Sequence, residues 1–176
     1  MRILRLMALP LFALSLSVSM TGCDQKNDTL KGNQNNMIAF IKKIAANKES
    51  EETQRYVGNI NGIEIKLTYY YKGDIILRQT SENKILYKIL KANNKEEAQK
   101  MLRQIGEAYQ GIQGMTERID YYDSYATEYV NIDFTQAKMS DLCKLPGSSI
   151  DNCSAPYLSM IRSQKLLEEN GYHRIN

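Results

Sequence analysis

The chain offers few side chains able to do chemistry: one histidine, three cysteines, a scatter of carboxylates, and twelve tyrosines with no tryptophan. A nucleophile–base mechanism needs a group to shuttle the proton, most often histidine. His173 stands in a short segment predicted to be an edge strand, where its expected state is exposed or lightly packed. A phosphate-cradling loop would join a strand to the start of a helix. Gly106, Gly111 and Gly114 instead follow a helical stretch. Asp120 and Asp123 bracket two tyrosines, and Glu128 and Asp133 sit on the following strand. Side chains alternate along a strand, so Glu128 and Asp133 face opposite ways, and a calcium or acid–base site there would need a loop to complete it. Scattered surface charge is the expectation for these four. The reading is a protein that is not an enzyme, with no cofactor and no metal.

Two cysteines have a better use than catalysis. Cys143 and Cys153 enclose a turn-rich segment containing Pro146-Gly147-Ser148-Ser149. A disulfide closing this loop is predicted, contributing on the order of 2–3 kcal/mol. A tetrahedral metal site would need two further strong ligands, and His173 cannot supply both.

Cys23 carries a different message. Arg2 and Arg5 precede an apolar stretch over residues 6–18, and Met20-Thr21-Gly22 lead directly into the cysteine. This is the layout of a secretory signal peptide, too short to span a bilayer. The cysteine after small residues resembles a bacterial lipoprotein signal, in which the thiol is acylated and becomes the first residue of the mature chain. One acyl chain holds a protein only marginally, at about 0.8 kcal/mol per buried methylene, whereas two or three anchor it stably. Asp24 behind the anchor resembles the signal that keeps enterobacterial lipoproteins at the inner membrane.

The anchor sets the organisation. Residues 1–22 read as signal peptide, 23–52 as lipid anchor, polar tether and short amphipathic helix, and 53–176 as one domain. Cleavage leaves 154 residues, enough for a real core. The precursor's net charge of +3 falls to +1, because Arg2 and Arg5 are discarded. No basic patch dominates, so nucleic acid is not an expected partner.

Periodicity then supplies the elements that position these groups. Met37, Phe40, Ile41, Ile44 and Ala45 recur on one face of a helix, which either docks on the domain or lies on the membrane. From residue 53 the period changes to two. Asn61-Gly62 marks a hairpin, and a strand over 63–71 ends at Lys72-Gly73-Asp74. A third strand covers 75–80, and residues 84–90 either continue it past a bulge or form another. Asn94, with Glu97 in capping-box position, starts a helix whose buried stripe is Ala98, Met101, Leu102, Ile105 and Tyr109, ended by Gly111. Strands over 115–122 and 125–134 follow. A last helix is predicted from Ser154 with Pro156 in its first turn, turning Tyr157, Met160, Ile161 and Leu167 inward. Residues 172–175 add an edge strand. The order implies an α+β fold, an antiparallel meander with two main helices packed on one face.

Seven tyrosines fall in two clusters, Tyr69-Tyr70-Tyr71 and Tyr121, Tyr122, Tyr125 and Tyr129. Alternation sends Tyr69 and Tyr71 to the apolar face and Tyr70 outward. With the later strand beside it, Tyr70 would join Tyr122 or Tyr125 in an outward aromatic patch. Tyrosine there suits sheet stabilisation and partner surfaces alike.

Residues 61–172 resemble the YehR-like lipoproteins, small bacterial envelope proteins without an assigned activity. The resemblance is carried by Thr68-Tyr69-Tyr70-Tyr71-Lys72-Gly73-Asp74, Gln79-Thr80-Ser81-Glu82, Lys95-Glu96-Glu97-Ala98, Tyr121-Tyr122-Asp123-Ser124-Tyr125-Ala126 and Val130-Asn131-Ile132-Asp133. It implies one α+β domain behind a lipid anchor and brings no catalytic residues. The segment 37–50 and the cysteine loop depart from it.

The expected role is that of a lipid-anchored envelope protein, facing periplasm or exterior, that binds a protein partner or small ligand through Tyr70, Tyr122 and Tyr125. The alternatives are an assembly role through the N-terminal helix, and a metal-dependent site built on carboxylates.

Overall fold

The computed structural model describes residues 34–48, 50–145, 148, 150 and 152–176. The signal peptide and Cys23 lie outside these residues. β1 (Glu52–Ile60) and β2 (Ile63–Lys72) form the expected hairpin. Asn61 and Gly62 both take positive φ, +53° and +86°, as a two-residue turn matched to strand twist requires. Gly73, also at positive φ, turns the chain into β3 (Ile75–Leu86). The short helix α2 (Tyr87–Leu90) and then α3 (Lys95–Gly106) follow. A single 3-10 turn, Glu107–Tyr109, leads to β4 (Met115–Tyr121) and β5 (Tyr125–Asp133). The short helix α4 (Met139–Leu142), α5 (Met160–Glu169) and β6 (His173–Ile175) complete the chain. We number the earlier helix, Gln34–Ala45, α1.

The strands make one antiparallel sheet in the order β4-β5-β3-β2-β1-β6. β3 lies at its centre and runs unbroken through Ser81-Glu82-Asn83, where the sequence suggests an interruption. Its bulge sits earlier, where Leu77 is inserted opposite Tyr70 and Tyr71. Residues 87–90 turn away as α2, so the strand over 84–90 stops at Leu86. One face of the sheet is sealed by α3, the 3-10 turn, α4 and α5, which bring Ala98, Leu102, Tyr109, Leu142, Met160 and Leu167 onto Tyr56, Ile65, Ile85, Val130 and Ile132.

The last helix begins five residues later than its sequence suggests. Its cap is Ser159, not Ser154, and Pro156 stays in the loop. Asp74, from the distant β2–β3 turn, decides this. Its Oδ1 accepts hydrogen bonds from Ser159 Oγ at 2.9 Å and from the Ile161 N–H at 2.8 Å. The later start rotates the helix, so Met160 and Leu167 face inward as expected while Ile161 is 72 % exposed.

α1 docks on the domain. Ile41 is buried, and Lys72 Nζ donates to the carbonyls of Ala45 and Asn47, each at 2.7 Å. A cation at a helix C-terminus satisfies orphan carbonyls and opposes the helix dipole.

The edge strand β6 brings in Tyr172, whose ring covers Gly58 so closely that a Cβ there would lie 2.7 Å from the ring. Gly58→Ala is expected to destabilise the fold by about 1–3 kcal/mol through overpacking. Equilibrium urea unfolding reads this directly.

Candidate functional site

The face of the sheet opposite α3 and α5 is met by α1 only at its Lys72 and Arg78 end, and the rest of it lies open. Its side chains are the outward-pointing alternates of six strands, and cross-strand register arranges them in rows. One row runs Arg118, Tyr129, Glu82, Lys66, and the next runs Thr116, Asn131, Thr80, Thr68, Arg55. Twist makes this surface concave, a groove of about 550 Å³ lined by these residues. It crosses the strands from Arg118 on β4 to Arg55 on β1, a span of about 19 Å at normal strand spacing.

Arginine and tyrosine are layered along this face. The Arg118 guanidinium lies 4.4 Å from the centre of the Tyr129 ring, and that of Arg78 lies 3.5 Å from Tyr70. Lys66 Nζ pairs with Glu82 at 2.8 Å, and Arg118 reaches Asp120 at 3.1 Å. These exposed pairs contribute little to stability, and they hold long side chains in place above the groove.

The three tyrosines singled out in the sequence do not form one patch. β3 separates β2 from β5, and Tyr70 is level with Arg78 and Asp133 while Tyr125 is level with Leu86. Eight residues along β3 put the two positions about 27 Å apart. Tyr122 and Tyr125 do stack, centroids 4.5 Å apart and planes within 17°, with Lys84 Nζ 5.3 Å from the Tyr125 ring. Tyr129, on the same strand face, is the tyrosine that enters the groove.

On the covered face a second constellation appears where the sequence suggested only surface charge. Glu128 is fully buried, and its Oε2 accepts from Asn83 Nδ2 at 2.6 Å. Glu117, diagonal to it on β4, shares a hydrogen bond with it. Burial raises the Glu128 pKa to about 8, and the second carboxyl adds to the rise against the opposing Asn83 bond. Glu117 is raised too, again chiefly by burial. Tyr109 OH, Asn83 Oδ1 and the Oε1 atoms of both glutamates have no partner among the described residues. Asp133, as alternation predicts, faces the other way and accepts from the Thr135 N–H at 2.9 Å and Thr135 Oγ1 at 2.6 Å. The residue type of Glu128 argues against its burial. The available signal was its place between the apolar residues Ala126, Val130 and Ile132 on the inward alternation.

Cys143 and Cys153 form the predicted disulfide, Cα atoms 5.8 Å apart. His173 is exposed on β6, beside Val57.

A family model described as "Protein of unknown function (DUF1307)" matches residues 52–173. The chain belongs to this family. The match spans β1 to β5, α5, the carboxyl pair and both bonded cysteines, and leaves α1 outside. Among curated relatives, the "Uncharacterized lipoprotein Lmo0207" of Listeria monocytogenes is 39% identical over 140 residues, covering 80% of this chain and 91% of that protein. The "Uncharacterized lipoprotein YehR" of Escherichia coli is 32% identical over 137 residues, covering 77% and 90%. The solution structure of E. coli YehR superposes with a TM-score of 0.65 over 73% of this chain and 94% of YehR. A Streptococcus pneumoniae TIGR4 protein, 16% identical, shares the fold at a TM-score of 0.52 over 90% of this chain and 99% of its own. The YehR-like, α+β reading of the sequence therefore stands.

Proposed function

We propose that this protein is a lipid-anchored, non-enzymatic binding protein of the bacterial envelope that receives a polypeptide segment in the open groove of its sheet. The carrying observation is the open, concave sheet face with Arg118 layered on Tyr129 at its β4 end. Arginine and tyrosine dominate binding energy at protein interfaces. Arg55, Lys66 and Arg118 outnumber the carboxylates that pair with them on this face, Glu82 and Asp120, which favours an acidic segment. The span of about 19 Å fits an extended stretch of about six residues. Anchoring through Cys23 supports the mechanism, since confinement at the membrane raises effective concentration and lets a weak contact matter. The lipoprotein names of the family's relatives support the anchor. Asp24 supports the inner membrane wherever the host sorts by that residue. The assembly reading through α1 is the weaker one, because Ile41 already docks the helix on the domain, leaving Phe40 as the exposed residue of its apolar face.

Native mass spectrometry of the acylated protein, extracted gently from its own membrane, tests the proposal. The expected result is an added polypeptide mass, lost when Arg118→Ala and Tyr129→Ser are combined, with the melting temperature unchanged. A partner retained by that double variant contradicts the groove as its site.

A further inference from the structure

α1 has two sides in different states. Ile41 is buried, and Met37 and Ile38 line the seam with Phe134, Ala137 and Pro156 beside it. Phe40, on the other side, is 44 % exposed. At 3.6 residues per turn, Phe40 and Lys43 share this outer side with Ala39, and Lys42 stands at its edge, all of them exposed. α1 carries no carboxylate, and Lys48 follows just past its end. Glu51 and Glu52 come only at the entry to β1, where Glu52 accepts from Tyr71 OH at 3.3 Å. Among the described residues Lys42, Lys43 and Lys48 make no ion pair. Position in the chain says what covers this side. Gln34 comes eleven residues after Cys23, a path of at most about 40 Å, so a chain acylated at Cys23 keeps the start of α1 within that distance of the bilayer. An exposed aromatic ring among lysines, on a helix without acids, suits the boundary between anionic headgroups and acyl chains.

We infer that α1 lies along an anionic lipid surface, with Phe40 turned into the interface and Lys42, Lys43 and Lys48 over the headgroup phosphates. The helix is then clamped from both sides, by the domain through Ile41 and by the bilayer through Phe40. Lys72 ties its C-terminal end to the sheet, and the groove begins at Thr80, two residues beyond Arg78 along β3, so the groove is held close to the membrane rather than swinging on the anchor. The inference rests on anchoring through Cys23 and is independent of what the groove receives.

The chain has no tryptophan, so Phe40→Trp places a single emitter on the outer side of α1. Tyr122→Trp places one at similar exposure, 42 %, beyond the Leu86 end of β3 and far from α1. Cys143 and Cys153 are bonded to each other, so the Cys23 thiol of the mature chain can be coupled to a maleimide lipid, which imposes the anchor chemically. Both variants are placed on phosphatidylcholine vesicles with and without one-third phosphatidylglycerol, and brominated acyl chains serve as quencher. With phosphatidylglycerol present, emission from position 40 is expected to shift to the blue and to fall about twofold or more on bromination, while position 122 stays unchanged. Lys42→Glu with Lys43→Glu should bring position 40 to the level of position 122. No quenching at position 40, or equal quenching at both positions, overturns the inference. So does quenching that is indifferent to the lysine charges or to phosphatidylglycerol. A blue shift that follows protein density instead of bromine overturns it in favour of a second copy on this side. Because the anchor is imposed, these outcomes judge α1 alone. Acylation of Cys23 is read separately, from the mass of the N-terminal peptide of protein taken from its own membrane.

Discussion

Stability is expected to fall as the pH rises from about 5 to about 9, and Glu128→Gln is expected to remove most of that fall. The folded Glu128 carboxyl holds its proton up to about pH 8, whereas the unfolded group releases it near 4.5, the ordinary value for a glutamate. Between those values the native state binds more protons than the unfolded chain, so the slope of stability against pH is negative. The contribution is complete below the unfolded value and lost as pH climbs through the folded one. One proton gives at most about 1.4 kcal/mol per pH unit. Asn83, Glu117, Tyr109 and Tyr121 are the polar groups that face this carboxyl. None of them is a cation that could hold it ionised. Glutamine reproduces the protonated acid, accepting from Asn83 and donating to Glu117. At about pH 9 the variant should be more stable than the native chain by on the order of 2–4 kcal/mol, and near pH 5 the two should coincide. Urea midpoints across the pH range measure both statements, and a native chain with no alkaline loss would contradict them.

Removing the disulfide should have the next largest effect. Cys143→Ser with Cys153→Ser opens a loop of sequence separation 10 and is expected to cost about 2–3 kcal/mol. The loss should be felt at the nearby α5 before the sheet. Ile75 and Ser159 bridge there, and Ile76 N–H donates to the Leu158 carbonyl at 3.0 Å, so the segment that runs from the disulfide loop into α5 is pinned to the start of β3. Hydrogen exchange would show Met160 and its neighbours losing protection while Ile65 and Ile132 keep theirs. Uniform loss at all of these positions would contradict a local role for the bridge.

Sequence carried the strands well where a turn and an alternation agree. Asn61-Gly62 fixes one hairpin, and the row Ile63, Ile65, Leu67, Tyr69 fixes which face is buried. The Asn94 cap was equally local, its side chain accepting from the Glu97 N–H at 2.9 Å. What escaped depends on partners distant in sequence. Ser159 starts α5 because Asp74 lies across from it, 85 residues earlier. Tyr70 and Tyr125 are far apart because β3 inserts between their strands, an order that no periodicity encodes. Gln79, Ser81, Asn83 and Glu128 have side chains usually found at surfaces, yet they occupy the inner face of the adjacent strands β3 and β5. Their burial follows from alternation alone, and their residue types argue against it. Such local violations concentrate where a fold serves something besides stability.

The central claim is that the open face of the sheet is where a partner binds, and site-specific photo-crosslinking in cells tests it most directly. A photoreactive phenylalanine analogue at Tyr129 places the probe in the groove, and the same residue at exposed Ile161 on α5 provides the comparison. The account predicts a discrete protein adduct from position 129 that is absent from position 161. No adduct at 129, or the same adduct from both positions, would contradict it.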